Sequence, residues 1–328
     1  MTLLLNESDV RALLKMPELI ETMERTLAQF STGRARQPVR TAIEVNERDF
    51  FGIMPAQLES PAALGAKLVT VFHGNEQRGL PSHLAVIVLL DPATGRLEAV
   101  MDGRYITAMR TAAASAVAVR WLAHANAAVL AILGSGVQAR SHLELLPLVR
   151  NFGEARVWSP NAGHLAQFLD SAGSTAGISI PVRAAVSAEA AVRGVDVIVL
   201  ATSSGTPVIH SDWLKPGALV ISVGACRPNM REMDPALVAR ARVMVDSRSA
   251  ALVESGDLIQ GIREGLFRED HIVGELGEVI AKKIEDRTSN DQAVIFKSLG
   301  IAVEDVAAAE FVYGCALRDG RGKEFAFS

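Results

Sequence analysis

The chain has 328 residues, 49% hydrophobic, 21% charged and 5% aromatic, enough for about two domains with a core in each. A net charge of −4 at pH 7 gives no electrostatic case for nucleic acid or an anionic membrane. Two distant cysteines, Cys226 and Cys315, make no disulfide framework, the start "MTLLLNESDVRALL" lacks a basic n-region, and no uncharged apolar run reaches the ~18 residues that span a bilayer, so a cytoplasmic setting is expected.

Residues 8–30 carry apolar positions at helical spacing and predict a helix, with Ser8 and Asp9 as candidate caps. Short runs rich in Val, Ile and Phe follow: "TAIEV", "FFGIMPA", "LGAKLVTVF" and "HLAVIVLLD". "DPATGRLEAVMD" predicts a hairpin turning at Pro92 and Gly95. The first hundred residues therefore predict a helix with a mostly antiparallel sheet.

The pattern changes near residue 104. "YITAMRTAAASAVAVRWLA" is alanine-rich and helical, and "AAVLAIL" follows as a buried strand. Strands at "ARVWS", "VDVIVLAT", "ALVISVG" and "ARVMVDS" are interleaved with helices at "HLAQFLDSAG" and "AEAAVRG". Near-continuous apolar strands alternating with helices indicate a parallel sheet covered on both faces. The segment from about residue 290 reads as a helix-rich piece returning to the first domain. The fold class expected is α/β.

The most informative motif lies in "AVLAILGSGVQARSHLELL". Here Gly134-Ser135-Gly136-Val137-Gln138-Ala139 forms G-x-G-x-x-A between a strand and a helix. Gly134 permits the tight turn, Gly136 lets the backbone approach a pyrophosphate, and Ala139 allows close helix–sheet packing. The helix N-terminus then offers N–H groups and a positive dipole end to phosphates. The next strand ends at "WSPNAGH", with Ser159, Pro160 and Asn161 where an NAD enzyme usually places an acid on the ribose. No anion there repels a 2′-phosphate, and no arginine follows to grip one. NADP(H) is favoured and NAD(H) stays open.

Arg40, Lys67 and Arg110 are isolated cations in apolar or turn contexts. Strand alternation could turn Lys67 outward to water. Alternatively the three cations clamp a small carboxylate, with arginine supplying the bidentate fork. His73, His83 and His142 form no metal-binding spacing, so no metal site is expected. In "VISVGACRPNMRE" Cys226 follows an apolar strand, either as a small filler or as an activated thiol.

The ordered series "PVR" (38–40), "GIMPA" (52–56), "GAKLVTVFHGN" (65–75), "DGRYITAMRTAAASA" (102–116), "GSGVQA" and "SVGACRPNMREMD" resembles the ornithine cyclodeaminase/mu-crystallin family over nearly the whole chain. The resemblance implies a Rossmann dinucleotide-binding domain, here residues 114–299, inserted in a second α/β domain for substrate binding and dimerisation, residues 1–113 plus 300–328. It implies a homodimer that uses a nicotinamide cofactor on small amino or imino acids. By position, Arg40, Lys67 and Arg110 correspond to the family's substrate-carboxylate and catalytic cluster. Thr111, Val137, Gln138, Thr202 and Val223 fall where the family contacts the dinucleotide, with Ser159 at the ribose-discriminating position. Ser298 and Leu299 match the segment that closes over substrate and nicotinamide.

One departure matters. The family's cyclodeaminases place an aspartate where Cys226 stands, and a neutral thiol cannot support a developing ammonium. "GA-x-RP" is more similar to the ketimine-reducing members. The activity implied is therefore NAD(P)H-dependent reduction of Δ1-pyrroline-2-carboxylate or Δ1-piperideine-2-carboxylate. Arg40 and Arg110 would hold the carboxylate, Lys67 would serve the imine nitrogen, and Cys226 and Leu299 would line the substrate site. The alternatives are an open-chain imino or amino-acid dehydrogenase of alanine or iminosuccinate type, then a true cyclodeaminase, then a non-catalytic binding protein.

Overall fold

Pro17, whose ring nitrogen carries no hydrogen, decides where the first helical segment breaks. In the computed structural model, which describes residues 1–47, 49–174, 178 and 180–327, β1 (Thr2–Leu5) leads into α1 (Glu7–Leu13) and α2 (Met16–Ser31). The helix expected over 8–30 is split because Pro17 has no N–H to continue α1 and instead occupies the first turn of α2. Asn6, not Ser8, caps α1. Its side chain accepts the Asp9 N–H while the Asp9 carboxylate accepts the Asn6 N–H, a capping box.

The chain divides into two compact units, Met1–Arg110 with Ile301–Ser328, and Thr111–Gly300. In the first, β2 (Ala35–Arg36), β3 (Thr41–Glu44), β4 (Phe50–Glu59), β5 (Ala62–Val71), β6 (His83–Leu90) and β7 (Leu97–Asp102) follow in order. From β4 to β7 they form an antiparallel meander, with the turn at Asp91–Arg96 between β6 and β7. The register pairs Met54 with Lys67, Lys67 with Ile87 and Ile87 with Met101. All four side chains are buried. Alternation therefore turns Lys67 into the core, while Ile53, Leu68 and Val86 cross the opposite, exposed face.

α3 (Arg104–Leu122) is the alanine-rich helix, buried over nearly its whole length. The second unit continues with β8 (Val129–Leu133), α4 (Val137–Leu145), β9 (Glu154–Trp158), α5 (Ala162–Ser174) and β10 (Val182–Ala184). Next come α6 (Ala188–Val192), β11 (Val197–Leu200), β12 (Leu219–Ser222), α7 (Pro235–Arg240), β13 (Arg242–Val245), α8 (Arg248–Glu254) and α9 (Gly256–Arg263). β14 (Ile272–Glu275), α10 (Leu276–Ile280) and β15 (Val294–Lys297) complete it.

The order is β10-β9-β8-β11-β12-β15-β13-β14, with every neighbouring pair parallel. The strand order reverses between β8 and β11, which is where sheets of this kind bind ligands, at the carboxyl ends of the strands. The helix-rich segment expected from about residue 290 instead opens with β15, which lies between β12 and β13. A run this short, three apolar residues and a lysine, does not distinguish a buried strand from a helix by periodicity. Beyond it α11 (Ala302–Asp319) belongs to the first unit and packs on α2, β4 and β5. It ends at left-handed Gly320, and β16 (Lys323–Phe325) then pairs with β1.

Candidate active site

In the first unit the buried face of β5 presents Lys67 to the start of α11. That helix begins without a cap from its own first residue. The side chain of Gln37 accepts the Val303 N–H, and two acids, Glu304 and Asp305, occupy the first turn, where the helix dipole favours negative charge. Lys67 Nζ lies 2.7 Å from Asp305 Oδ2. Arg110 Nε donates to Asp305 Oδ1 at 2.8 Å, and Arg110 Nη1 to Glu304 Oε2 at 2.7 Å. Lys67 is 2% exposed and Arg110 3%, and both acids are fully buried. Charges this deep persist because they are paired, since a lone buried ion costs several kcal/mol.

Burial pushes the Lys67 ammonium down to about 8; Asp305 opposes that, while Arg110 and then Arg40 add to it. The Arg40 field thus reaches Lys67, joining the three cations anticipated from the sequence. Asp305 is held below the usual carboxylate range by Arg110 and Lys67 against the opposing effect of burial. His83 is driven down to about 4, by burial first and then by Lys67 and Arg110, so it is neutral at neutral pH. Sequence reasoning missed Gln37, Glu304 and Asp305. The signal was present as two acids opening the otherwise apolar "AVEDVAAA".

In the second unit Gly134 has φ +125°, and a Cβ there would lie 2.3 Å from the Ala201 carbonyl. Only glycine fits that turn. A Cβ on Gly136 would meet nothing within 4 Å, so the space above the loop is open, and Gly136 starts α4 with no side chain capping the helix. Those first-turn N–H groups suit the pyrophosphate of a dinucleotide, and Val137, which opens the helix, is exposed. Gln138 sits in the same turn, its carbonyl accepting from His142 Nδ1 at 2.7 Å while Ser115 Oγ lies 2.8 Å from Nε2. Ser135 Oγ donates to Ser159 Oγ at 3.0 Å, joining the loop to the end of β9. Asn161 caps α5, accepting the His164 N–H at 3.0 Å.

Thr202 lies two residues past the end of β11, and Val223 follows β12 directly. Cys226 is half-buried, its Sγ 3.3 Å from the Val223 carbonyl. Ser298 and Leu299 follow β15 and are buried. Asp246 Oδ2 accepts from the Leu299 and Gly300 N–H groups at 2.6 and 2.7 Å and lies 3.3 Å from Ser298 Oγ. Thr111 is buried on α3. Sequence reasoning also missed the acids Glu232, Asp246 and Asp257 and the buried Lys297 beneath these strand ends. Burial works to lower the Lys297 pKa, but Asp257, Cys226 and Glu232 carry it above the ordinary lysine value.

A parallel sheet with its glycine turn at the point of strand reversal defines a Rossmann-type dinucleotide-binding α/β protein. The ornithine cyclodeaminase/mu-crystallin family model matches residues 1–320, and the chain belongs to that family. Ketimine reductase mu-crystallin of Rattus norvegicus is 43% identical, over 90% of this chain and 91% of the relative. The structure of Thermococcus litoralis Delta(1)-pyrroline-2-carboxylate reductase in complex with NADH and L-proline superposes with TM-score 0.95 at 38% identity, covering 99% of this chain and all of that one (100%). An archaeal alanine dehydrogenase dimer with bound NAD gives TM-score 0.94 at 31% identity, covering 100% and 99%.

Proposed function

We propose that this chain reduces a small cyclic imino acid, Δ1-pyrroline-2-carboxylate or Δ1-piperideine-2-carboxylate, to the L-amino acid with NAD(P)H. The observation that carries this is Lys67, fully buried, 2.7 Å from Asp305, and brought to about 8 by burial and by the fields of Arg110 and Arg40. Arg40 and Arg110 hold the substrate carboxylate, because a guanidinium matches its two oxygens. The dinucleotide, when bound on the second unit, supplies the hydride that the imine carbon accepts. Lys67 gives its proton to the imine nitrogen, so the C=N double bond becomes a C–N single bond with one new C–H and one new N–H, and Lys67 is left as the amine. Asp305 holds Lys67 in place, and the two reactants' positioning and the polarised nitrogen account for most of the acceleration. No covalent intermediate is required of Cys226.

Cofactor choice follows from the end of β9, where Ser159 replaces an acid and bonds Ser135. This supports NADP(H) as the preferred cofactor over NAD(H), with Asn161, Thr202, Val223, Thr111 and Ser298 around the nucleotide and Leu299 and Cys226 toward the substrate. The first unit serves substrate binding and dimerisation, and the exposed apolar row Ile53–Leu68–Val86 supports a homodimer. The setting is cytoplasmic, in keeping with two free thiols.

The test is to mix enzyme with NADPH or NADH and each cyclic imino acid and follow the loss of reduced-nicotinamide absorbance. Turnover of neither imine with either cofactor overturns the reading. The resemblance to an alanine dehydrogenase favours one second reading, an open-chain substrate; ammonia-dependent reduction of a 2-oxo acid, exceeding that of any cyclic imine, would select it.

A further inference from the structure

A fully buried acid, Glu232, sits beneath the ends of β11 and β12. Its Oε1 accepts from the Thr202 N–H at 2.8 Å and the Thr202 hydroxyl at 2.7 Å. Its Oε2 accepts from the Gly224 N–H at 2.8 Å, the Ala225 N–H at 3.0 Å and the Ser222 hydroxyl at 3.2 Å. Every one of these neighbours is a donor, which favours a carboxylate against the burial that raises the Glu232 pKa. The segment carrying Glu232 is itself anchored, because Asp257 Oδ1 accepts the Glu232 and Met233 N–H groups at 2.8 and 2.9 Å. Lys297 supplies the counter-charge, 3.4 Å from Asp257 and donating to Ser222 Oγ at 2.9 Å.

The consequence is a forced closeness of the two strand ends. A Cβ at Gly224 would lie 2.1 Å from the Thr202 carbonyl and 2.4 Å from Glu232 itself. A burial of this kind has a cost, and a hydrophobic side chain would close the same space without it. What the carboxylate adds is a fixed direction for five backbone and hydroxyl groups at two separate strand ends.

Sheet topology tells which half of a dinucleotide those loops serve. The glycine loop follows β8, and the adenosine ribose lies toward β9, where Ser159 stands. The other half must lie across the reversal point, over β11 and β12. We propose that Glu232 is a positioning residue for the nicotinamide half-site, acting through the Thr202 and Gly224–Ala225 loops. This rests on the nucleotide reading of the second unit and not on which imine is reduced.

The experiment is a binding measurement on the full chain, without substrate. Wild type and Glu232→Gln are titrated with NADPH and NADH, and with 2′,5′-ADP and 5′-ADP, which carry only the adenosine half. The amide must set an NH2 against donors that now face a carboxylate, so the reduced dinucleotides weaken by about tenfold to a hundredfold, the worth of one or two bonds to a charged group. The adenosine fragments should keep their affinity within about twofold. Parallel weakening of fragments and dinucleotides means a general loss of structure and overturns the assignment, as does unchanged dinucleotide binding. Should Glu232→Gln not fold, Ser222→Ala decides. It removes one donor to Glu232 and the Lys297 link while leaving both loops intact, and is expected to give a smaller selective loss; no selectivity overturns the assignment. If wild type binds none of the four ligands, the nucleotide reading itself fails, which is a different result from binding without selectivity.

Discussion

Lys67 is the residue on which chemistry and stability meet. With a pKa near 8 it is an ammonium below that value and an amine above it. Imine reduction uses the proton, so kcat/KM for reduction should be level below about pH 8 and fall above it, while oxidation of the product amine should rise over the same range. A Lys67→Met variant should lose reduction by several orders of magnitude and lose this pH break with it; a pH–rate profile of the wild type that rises through 8 contradicts the assignment. The linkage has a stability counterpart. An unfolded lysine titrates near 10.5, so between about 8 and 10.5 the unfolded chain binds more protons, and stability should rise with pH in that window. Asp305→Ala leaves Lys67 and part of the Arg110 fork unpaired in the core, and should cost about 3–5 kcal/mol by denaturant titration. At this scale the sequence was only half legible. Lys67 and Arg110 stand out as cations in apolar surroundings, but their partners Asp305 and Glu304, and the Glu232–Asp257–Lys297 group, do not. An acid in a helix reads the same whether it meets water or a buried lysine, and only tertiary packing separates the two.

At the scale of elements, the glycine turn after β8 was legible because its requirement is local. A φ of +125° and a carbonyl 2.3 Å from where a Cβ would stand demand glycine whatever surrounds them. Gly134→Ala should therefore abolish binding of NADPH and NADH in fluorescence titrations, with some loss of thermal stability; full binding would show that the loop does not hold the nucleotide. Elements whose identity depends on neighbours were harder. β15 is three apolar residues and a buried lysine, and only its place between β12 and β13 makes it a strand. The break between α1 and α2 was visible in principle at Pro17, but helical spacing continues across it and hides the interruption. The cap at Asn6 lies two residues before Ser8, the first candidate, because the capping box pairs it with Asp9.

For the whole molecule, the outer face of the β4–β7 meander carries an apolar row that the chain's own fold leaves open. Ile53, Leu68 and Val86 lie side by side in register on three adjacent strands, and each is more than a third exposed. A second copy is the occupant proposed for it, so light scattering should find wild type as a dimer and Leu68→Glu as a monomer at the same concentration. An unchanged dimer would move the interface elsewhere. The order of strands in either sheet was beyond sequence reading, since pairing partners far apart in the chain leave no local mark. What was legible was the class of each unit, from alternation in the first hundred residues and from continuous apolar strands beyond them.

The central claim is hydride reduction of a cyclic imino acid, and one steady-state measurement bears on it most directly. Δ1-pyrroline-2-carboxylate and Δ1-piperideine-2-carboxylate are each offered with NADPH and with NADH, and the product is identified as the L-amino acid. The account predicts saturable turnover of at least one imine, faster with NADPH and lost in Lys67→Met. Absence of turnover with both imines and both cofactors, in enzyme that binds the dinucleotide, would contradict it.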